Sequence, residues 1–416
     1  MTRDTVDSNL SAISSVEDVS NVLLFVSDSL RYDHLPPEVA SIGVEAEAVA
    51  PSTFTASSLP SITSGQYPAS HGVWMFDDTL AEKPELLSID SHDVGFDAEG
   101  IWTKLPSAEK PPLRINRLSR ERKLSDLDRP FVHVVHDMGP HAPYGFENGV
   151  FESTKEYFKK FEREKNRLRS LYKDNCSVSA QRFLDIYEEI KRSGELENTL
   201  LVFTSDHGEA LGETTNGGRF GHGHPLSPET VKVPIVFCGA GLPEGTKYTP
   251  LLSSTDIAPT LLSAMDRPHR SYTDGQDIWS EPPEENRLLR SEVWQHIDVE
   301  KFGYEKELTV YCATSAWNRS GGHVFHRKSA LERIAGIAYD DLFRGYSPAW
   351  KRNFTLQNAI QMAIIAGGSH FEYGTPDFTA EEAKRVTPER ISAHQEHQAE
   401  GLNQDQRDHL KDMGYL

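Results

Sequence analysis

The sequence predicts an α/β fold with a smaller α+β part near its C-terminal end, on three observations. Four short apolar runs carry β-branched and aromatic residues: Asn21–Asp28 (NVLLFVSD), Phe131–Asp137 (FVHVVHD), Thr199–Gly208 (TLLVFTSDHG) and Val233–Gly239 (VPIVFCG). Such runs suit strands buried on both faces of a parallel sheet. Between them lie helical patterns, as in Ala180, Phe183, Leu184, Tyr187 and Ile190. Alternating strands and helices imply an α/β sheet. Beyond about Ser280 the texture changes to shorter, antiparallel-looking runs.

In chain order, residues 1–20 read as a polar leader and 21–280 as the α/β domain. Within that domain Phe151–Tyr172 reads as a charged, solvated helix. Thr255-Asp256 caps a helix over IAPTLLSAM, with Pro259 tolerated in its first turn. Residues 281–374 form the α+β subdomain. Its strands are LLRSEVWQ, LTVYCATSAW and HVFHRKS, with Ser320–Gly322 as a hairpin turn. Residues 375–416 read as a polar helical tail.

Composition narrows the function class. The 416 residues are 37% hydrophobic and 25% charged, and no apolar run reaches the ~18–20 residues of a membrane span. The first twenty residues hold no apolar signal core. Acidic residues outnumber basic ones 63 to 43, which argues against coating nucleic acid. The balance leaves room for a small anionic substrate at a metal, whose charge inverts the local field. At molar salt, screening at ~3 Å makes such self-repulsion cheap, so a salt-loving host and an ordinary acidic enzyme both fit. Three unpaired cysteines, Cys176, Cys238 and Cys312, exclude a disulfide scaffold or a four-cysteine zinc site, and the expected compartment is the cytoplasm.

Three of the runs end in metal-ligand chemistry: Asp28, Asp137 and Asp206-His207. Sites in open parallel sheets form beyond the carboxyl ends of strands, so three acidic ends suggest one converging site. Any one of these aspartates alone reads equally as a turn residue or helix cap. Pro51–Gly72 is rich in hydroxyls and poor in charge. A Thr or Ser at a helix start there would be a metal-activated nucleophile; the plain reading is a Ser/Thr-rich loop.

These blocks, in this order, resemble the alkaline phosphatase superfamily, and within it the sulfatase-like branch. The matching segments are NVLLFVSDSLRYDHL, LPSITSGQYPASHGV, HDMGPHAPY, ENTLLVFTSDHGEALGE, FGHGHPLSPETVKVPIVFCGAG, STDIAPTLL and the terminal LKDMGYL. The resemblance implies a mixed, mostly parallel sheet flanked by helices. It implies that Asp28, Asp206 and His207 bind a metal and that Thr55, ten residues before Gly65, is the nucleophile and a further ligand. It also implies that His141 and His222 contact the transferred group.

Two departures from the sulfatase pattern matter. Ser29 stands where sulfatases usually carry a second Asp. Thr55 replaces the Cys, or in some the Ser, that becomes formylglycine, and Leu59 stands where the maturation motif has Arg. Threonine cannot become that aldehyde, which favours phosphate chemistry through an unmodified hydroxyl. An imidazole at His207, where calcium-binding sulfatases often have Asn, favours Mn²⁺ or Zn²⁺ over Ca²⁺. One ion is preferred; the alternative has Asp137, His141 and His222 holding a second. His71, His136 and His224 read as structural or supporting.

The expectation is therefore a metal-dependent hydrolase or transferase of a small anionic ester, with phosphoester cleavage preferred. The alternatives are a sulfuric ester hydrolase and a catalytically silent binding protein. Neither nucleic acid nor membrane is an expected partner.

Overall fold

The protein is described here by a computed structural model. It covers residues 4–391, apart from 101, 103, 104, 146–150, 152, 268, 270, 271, 302 and 303, and also residues 406–408 and 410. Most of the terminal LKDMGYL block therefore lies outside the described residues.

The main sheet is built on six strands: β1 (Asn21–Ser27), β2 (Val44–Val49), β3 (Asp93–Ala98), β4 (Phe131–Asp137), β5 (Thr199–Thr204) and β6 (Lys232–Gly239). Their spatial order is β2-β6-β5-β1-β4-β3, with the short strands Thr5–Val6, Thr246–Tyr248 and Leu252–Ser253 on the β2 side. β1 lies centrally, parallel to β4 and β5. The sheet is mixed because β6 runs antiparallel to both neighbours. Its VPIVFCG run reads like the parallel strands because burial on both faces erases any directional signal.

Alternation along β1 divides the core. Val22, Leu24 and Val26 face one cluster, which includes helix α1 (Thr55–Ser64) and the helix Ile257–Ala264. Leu23 and Phe25 face the other, against helix α2 (Lys165–Arg192). In α2, Leu168, Leu171, Tyr172, Cys176, Ala180, Phe183, Tyr187 and Ile190 form a buried stripe at helical spacing. The stretch expected to be a solvated helix divides into Thr154–Lys160 and the start of α2. It is amphipathic, since Tyr157 and Phe158 are buried.

The C-terminal sheet is four-stranded and antiparallel: β7 (Leu289–Lys301), β8 (Tyr304–Trp317), β9 (Gly321–His326) and β10 (His370–Gly374), in that order. β7 and β8 are longer than the sequence suggested, 13 and 14 residues. Helices α3 (Ala330–Phe343), α4 (Ser347–Arg352) and α5 (Leu356–Gly367) lie between β9 and β10. Helix α6 (Ala380–Val386) follows. The backbone N–H of Glu292 donates to Pro51 O and its carboxylate accepts from Ala69 N, joining this sheet to the segments flanking α1.

Phe25, Phe183 and Phe203 form a mutual ring cluster, with centroids 5.0–5.6 Å apart, between the sheet and α2. Phe183→Ala is expected to cost about 3–5 kcal/mol. A lowered urea-unfolding midpoint at fixed salt checks this.

Candidate active site

The carboxyl ends of β1, β4 and β5 lie side by side, and strand alternation decides which side chains meet. Val26 pairs with His136, and Ser27 with Asp137. Residues two apart share a face, so Asp28 and His136 lie on the α1 side while Ser27 and Asp137 lie on the α2 side. The contacts agree. Ser179 of α2 donates to Asp137 Oδ2 at 2.6 Å, its hydroxyl lies 2.8 Å from Ser27 Oγ, and Arg182 of α2 pairs with Asp137. The set Asp137, His141 and His222 is thus not assembled: the expected second-metal carboxylate is turned to the opposite face.

Asp28, Asp206 and His207 do converge, fully buried, with ligand atoms all within 4.8 Å of one another. His207 Nε2 is 3.7 Å from Asp28 Oδ1 and 3.5 Å from Asp206 Oδ2. Thr55, the first residue of α1, places Oγ1 3.4 Å from Asp28 Oδ2 and 3.2 Å from His207 Nε2. The other α1 hydroxyls are engaged elsewhere: Ser57 on Ser52, Ser58 on Asp206 O, Ser61 on His71, Thr63 on Asn116 and Ser64 on Pro60 O. His71 is structural, bonding Ser61 and the Val73 N–H.

Ser29, at the position of the sulfatases' second Asp, takes φ +67°, uncommon for a non-glycine residue. The bend lets its N–H donate to Asp206 Oδ1 (3.2 Å) and its hydroxyl to Asp28 Oδ1 (2.8 Å). Tyr172 OH holds the turn through Ser29 O at 2.7 Å. Ser29 therefore orients both carboxylates.

His136 is the residue that sequence reasoning undervalued. It is fully buried, with Nε2 3.6 Å from Asp28 Oδ2 and 3.9 Å from Asp206 Oδ2. Both of its nitrogens, and Asp206 Oδ2, lack a hydrogen bond among the described residues. The signal was available: His136 pairs with Val26, which stands two residues before Asp28, and so lies on the Asp28 face.

His141 and His222 form a second pair, Nε2 to Nε2 at 3.1 Å. His222 stacks on His207 with ring centroids 4.3 Å apart. His141 Nδ1 donates to Ala142 O (2.6 Å) and His222 Nδ1 to Thr53 O (3.2 Å). The two Nε2 atoms face each other within hydrogen-bond distance. The loop carrying His222 is braced from α3. Arg219 makes a two-pronged bond to Asp341, 2.7 Å on each arm, and His224 bonds Asp340 at 2.7 Å. His224 is thereby a supporting residue.

The electrostatics of this cluster suit a cation. Burial, then the Asp206 charge, holds the Asp28 carboxyl well above its usual range. Burial opposes ionisation of Asp206 too, yet His207 and His136 keep it below the ordinary value. Burial also lowers His207, and with His207 beside it pushes His141 down to about 3. His207 Nδ1 donates to Gly208 O at 3.0 Å, which leaves the Nε2 lone pair facing the carboxylates and the Thr55 hydroxyl. Donor atoms on an ion at 2.0–2.2 Å stand about 3–3.5 Å apart. The fixed tautomer and the orphaned atoms of Asp206 and His136 fit a divalent cation, around which the donors, 3.5–3.9 Å apart here, would draw in slightly.

The Sulfatase family profile matches residues 118–267. The low-salt glycan biosynthesis sulfotransferase Agl7 of Haloferax volcanii is 43% identical over 98% of both chains. The phosphonate monoester hydrolase of Agrobacterium radiobacter superposes with a TM-score of 0.55, 17% identity, covering 74% of this chain and 87% of that one. A 2-O GAG sulfatase superposes with a TM-score of 0.56, 14% identity, covering 74% and 83%. The chain belongs to the sulfatase family of the alkaline phosphatase superfamily. It is an enzyme of the class that acts on sulfate or phosphate esters. Among the described residues no helix is long and apolar enough to cross a membrane.

His136→Gln is expected to weaken Mn²⁺ or Zn²⁺ binding by about 10-fold or more. Asp137→Asn, on the opposite face, is expected to leave it unchanged. Equilibrium dialysis with elemental analysis separates the two outcomes.

Proposed function

We propose that the chain transfers a sulfuryl group from an anionic ester, through Thr55, to an acceptor hydroxyl. The observation that carries this reading is the Thr55 hydroxyl set 3.2 Å from His207 and 3.4 Å from Asp28, in a chain with a full-length relative named as a sulfotransferase. Asp28, Asp206, His207 and His136 would hold one divalent cation, Mn²⁺ or Zn²⁺ before Ca²⁺ given the imidazoles. Bound there, the ion would acidify the threonine hydroxyl and neutralise an ester oxygen.

Thr55 Oγ1 bonds to sulfur as the ester S–O bond breaks. The leaving oxygen takes a proton from the His141–His222 pair, and the proton that Thr55 gives up balances it. The two Nε2 atoms lie 3.1 Å apart, close enough to share one proton. An anionic ester beside them offsets the burial penalty and lets the pair hold the proton it donates. The acceptor hydroxyl then attacks sulfur, the Oγ1–S bond breaks, and Thr55 is restored.

The threonine also favours transfer. A formylglycine hydrate sheds its group by collapsing to an aldehyde, whereas a threonine ester has no geminal hydroxyl and must wait for a second nucleophile. When an alcohol arrives the reaction is a transfer; when water arrives it is a hydrolysis. A second reading, phosphodiester cleavage, is supported by the unmodified hydroxyl together with His207, the features that first favoured phosphate.

With Mn²⁺, an aryl sulfate and a sugar acceptor, the enzyme is expected to form sulfated acceptor. Thr55→Ala and chelation are each expected to abolish it, and Thr55→Ser to retain a measurable rate. Faster cleavage of an aryl phosphodiester, with no acceptor sulfation, would replace this reading with the second.

A further inference from the structure

Away from the active site, β9 and β10 bring three metal-binding side chains together. His323 lies directly across from Glu372, and Phe325 across from His370, so all four side chains share one face. His323 Nδ1 is 3.0 Å from His370 Nε2 and 3.4 Å from Glu372 Oε1. The three donor atoms lie within 4.8 Å of one another.

The surroundings fix the chemistry of this cluster. His323 is buried, and its Nε2 lies 2.9 Å from Phe378 O, which can only accept. The proton of a neutral His323 is therefore on Nε2, and Nδ1 is bare toward the cluster. One proton on His370 Nε2 would satisfy the imidazole pair, but the Glu372 oxygen would still face the same bare nitrogen. A divalent cation satisfies all three at once. Separations of 3.0 and 3.4 Å match donors on one ion at about 2.0–2.2 Å. The carbonyl bond to the far nitrogen is the kind of support that orients a ligating imidazole. Phe325 stacks on His370 with centroids 4.9 Å apart, and Phe378 meets His323 edge-on at 4.9 Å, walling the inner side. Glu372 is exposed, so solvent supplies the remaining ligand position and the entry path.

We propose that His323, His370 and Glu372 form a second, structural cation site of the zinc class, independent of catalysis. It would tie β9 to β10 and to the segment leading into α6.

The test uses full-length, chelator-treated Asp206→Asn protein, in which the active-site ion is weakened, titrated with Co²⁺. One equivalent is expected to bind, with the visible absorption of low-coordinate Co²⁺ bearing nitrogen ligands and a rise in Tm. Adding His370→Gln is expected to remove the band and the Tm rise. Adding Glu372→Gln, at an exposed position that tolerates substitution, is expected to weaken binding by about 10-fold or more. In the otherwise native chain, His370→Gln should lose one equivalent of metal and keep its activity. Absence of a stoichiometric Co²⁺ band in Asp206→Asn, or equal binding with and without His370→Gln and Glu372→Gln in folded protein, would overturn the site.

Discussion

Two carboxylates, Asp28 and Asp206, are buried side by side at the ends of neighbouring strands, and the rest of the site answers that burden. Removing one unpaired carboxylate from water costs several kcal/mol even after relaxation. Imidazoles from two further positions, His136 and His207, face the pair, and Ser29 supplies a backbone N–H and a hydroxyl to it. The parallel strands β1 and β5 of a mixed sheet thus end in a concentrated negative site. A divalent cation would resolve its charge, and the Thr55 hydroxyl at the head of α1 stands beside that position. The fold serves this arrangement by packing α1 on one face and α2 on the other.

Much of this was legible in the residues. The apolar runs located β1, β4, β5 and β6, and their polar ends located Asp28, Asp206 and His207. Thr55 followed from the resemblance of its block, and the structure sets it against the same carboxylates. Asp137 was misread because its neighbourhood in sequence was weighed without its parity. One residue along a strand reverses the face, and that parity selects His136 instead. The direction of β6 left no trace, because both faces are buried. The bond between Arg219 and Asp341 joins residues 122 apart, a pairing that neither local periodicity nor composition reports.

The departures from the family pattern form a consistent set. Ser29 in place of a carboxylate, with the imidazoles of His207 and His136 facing Asp28 and Asp206, gives a donor set of lower negative charge. Such a set would favour zinc or manganese over calcium. In the proposed reaction, a threonine nucleophile has no internal route for expelling sulfate and leaves transfer to a second nucleophile. The acidic composition, a net charge of -20, fits a relative from a halophilic archaeon.

The central claim is that Thr55 carries the transferred group covalently. The most direct measurement is peptide mass mapping after rapid acid quench of metal-loaded enzyme mixed with an aryl sulfate donor and no acceptor. The account predicts a sulfuryl-mass addition on the Thr55 peptide that disappears when an acceptor alcohol is added before the quench. Turnover without any adduct on that peptide, or an adduct on a different residue, would contradict it.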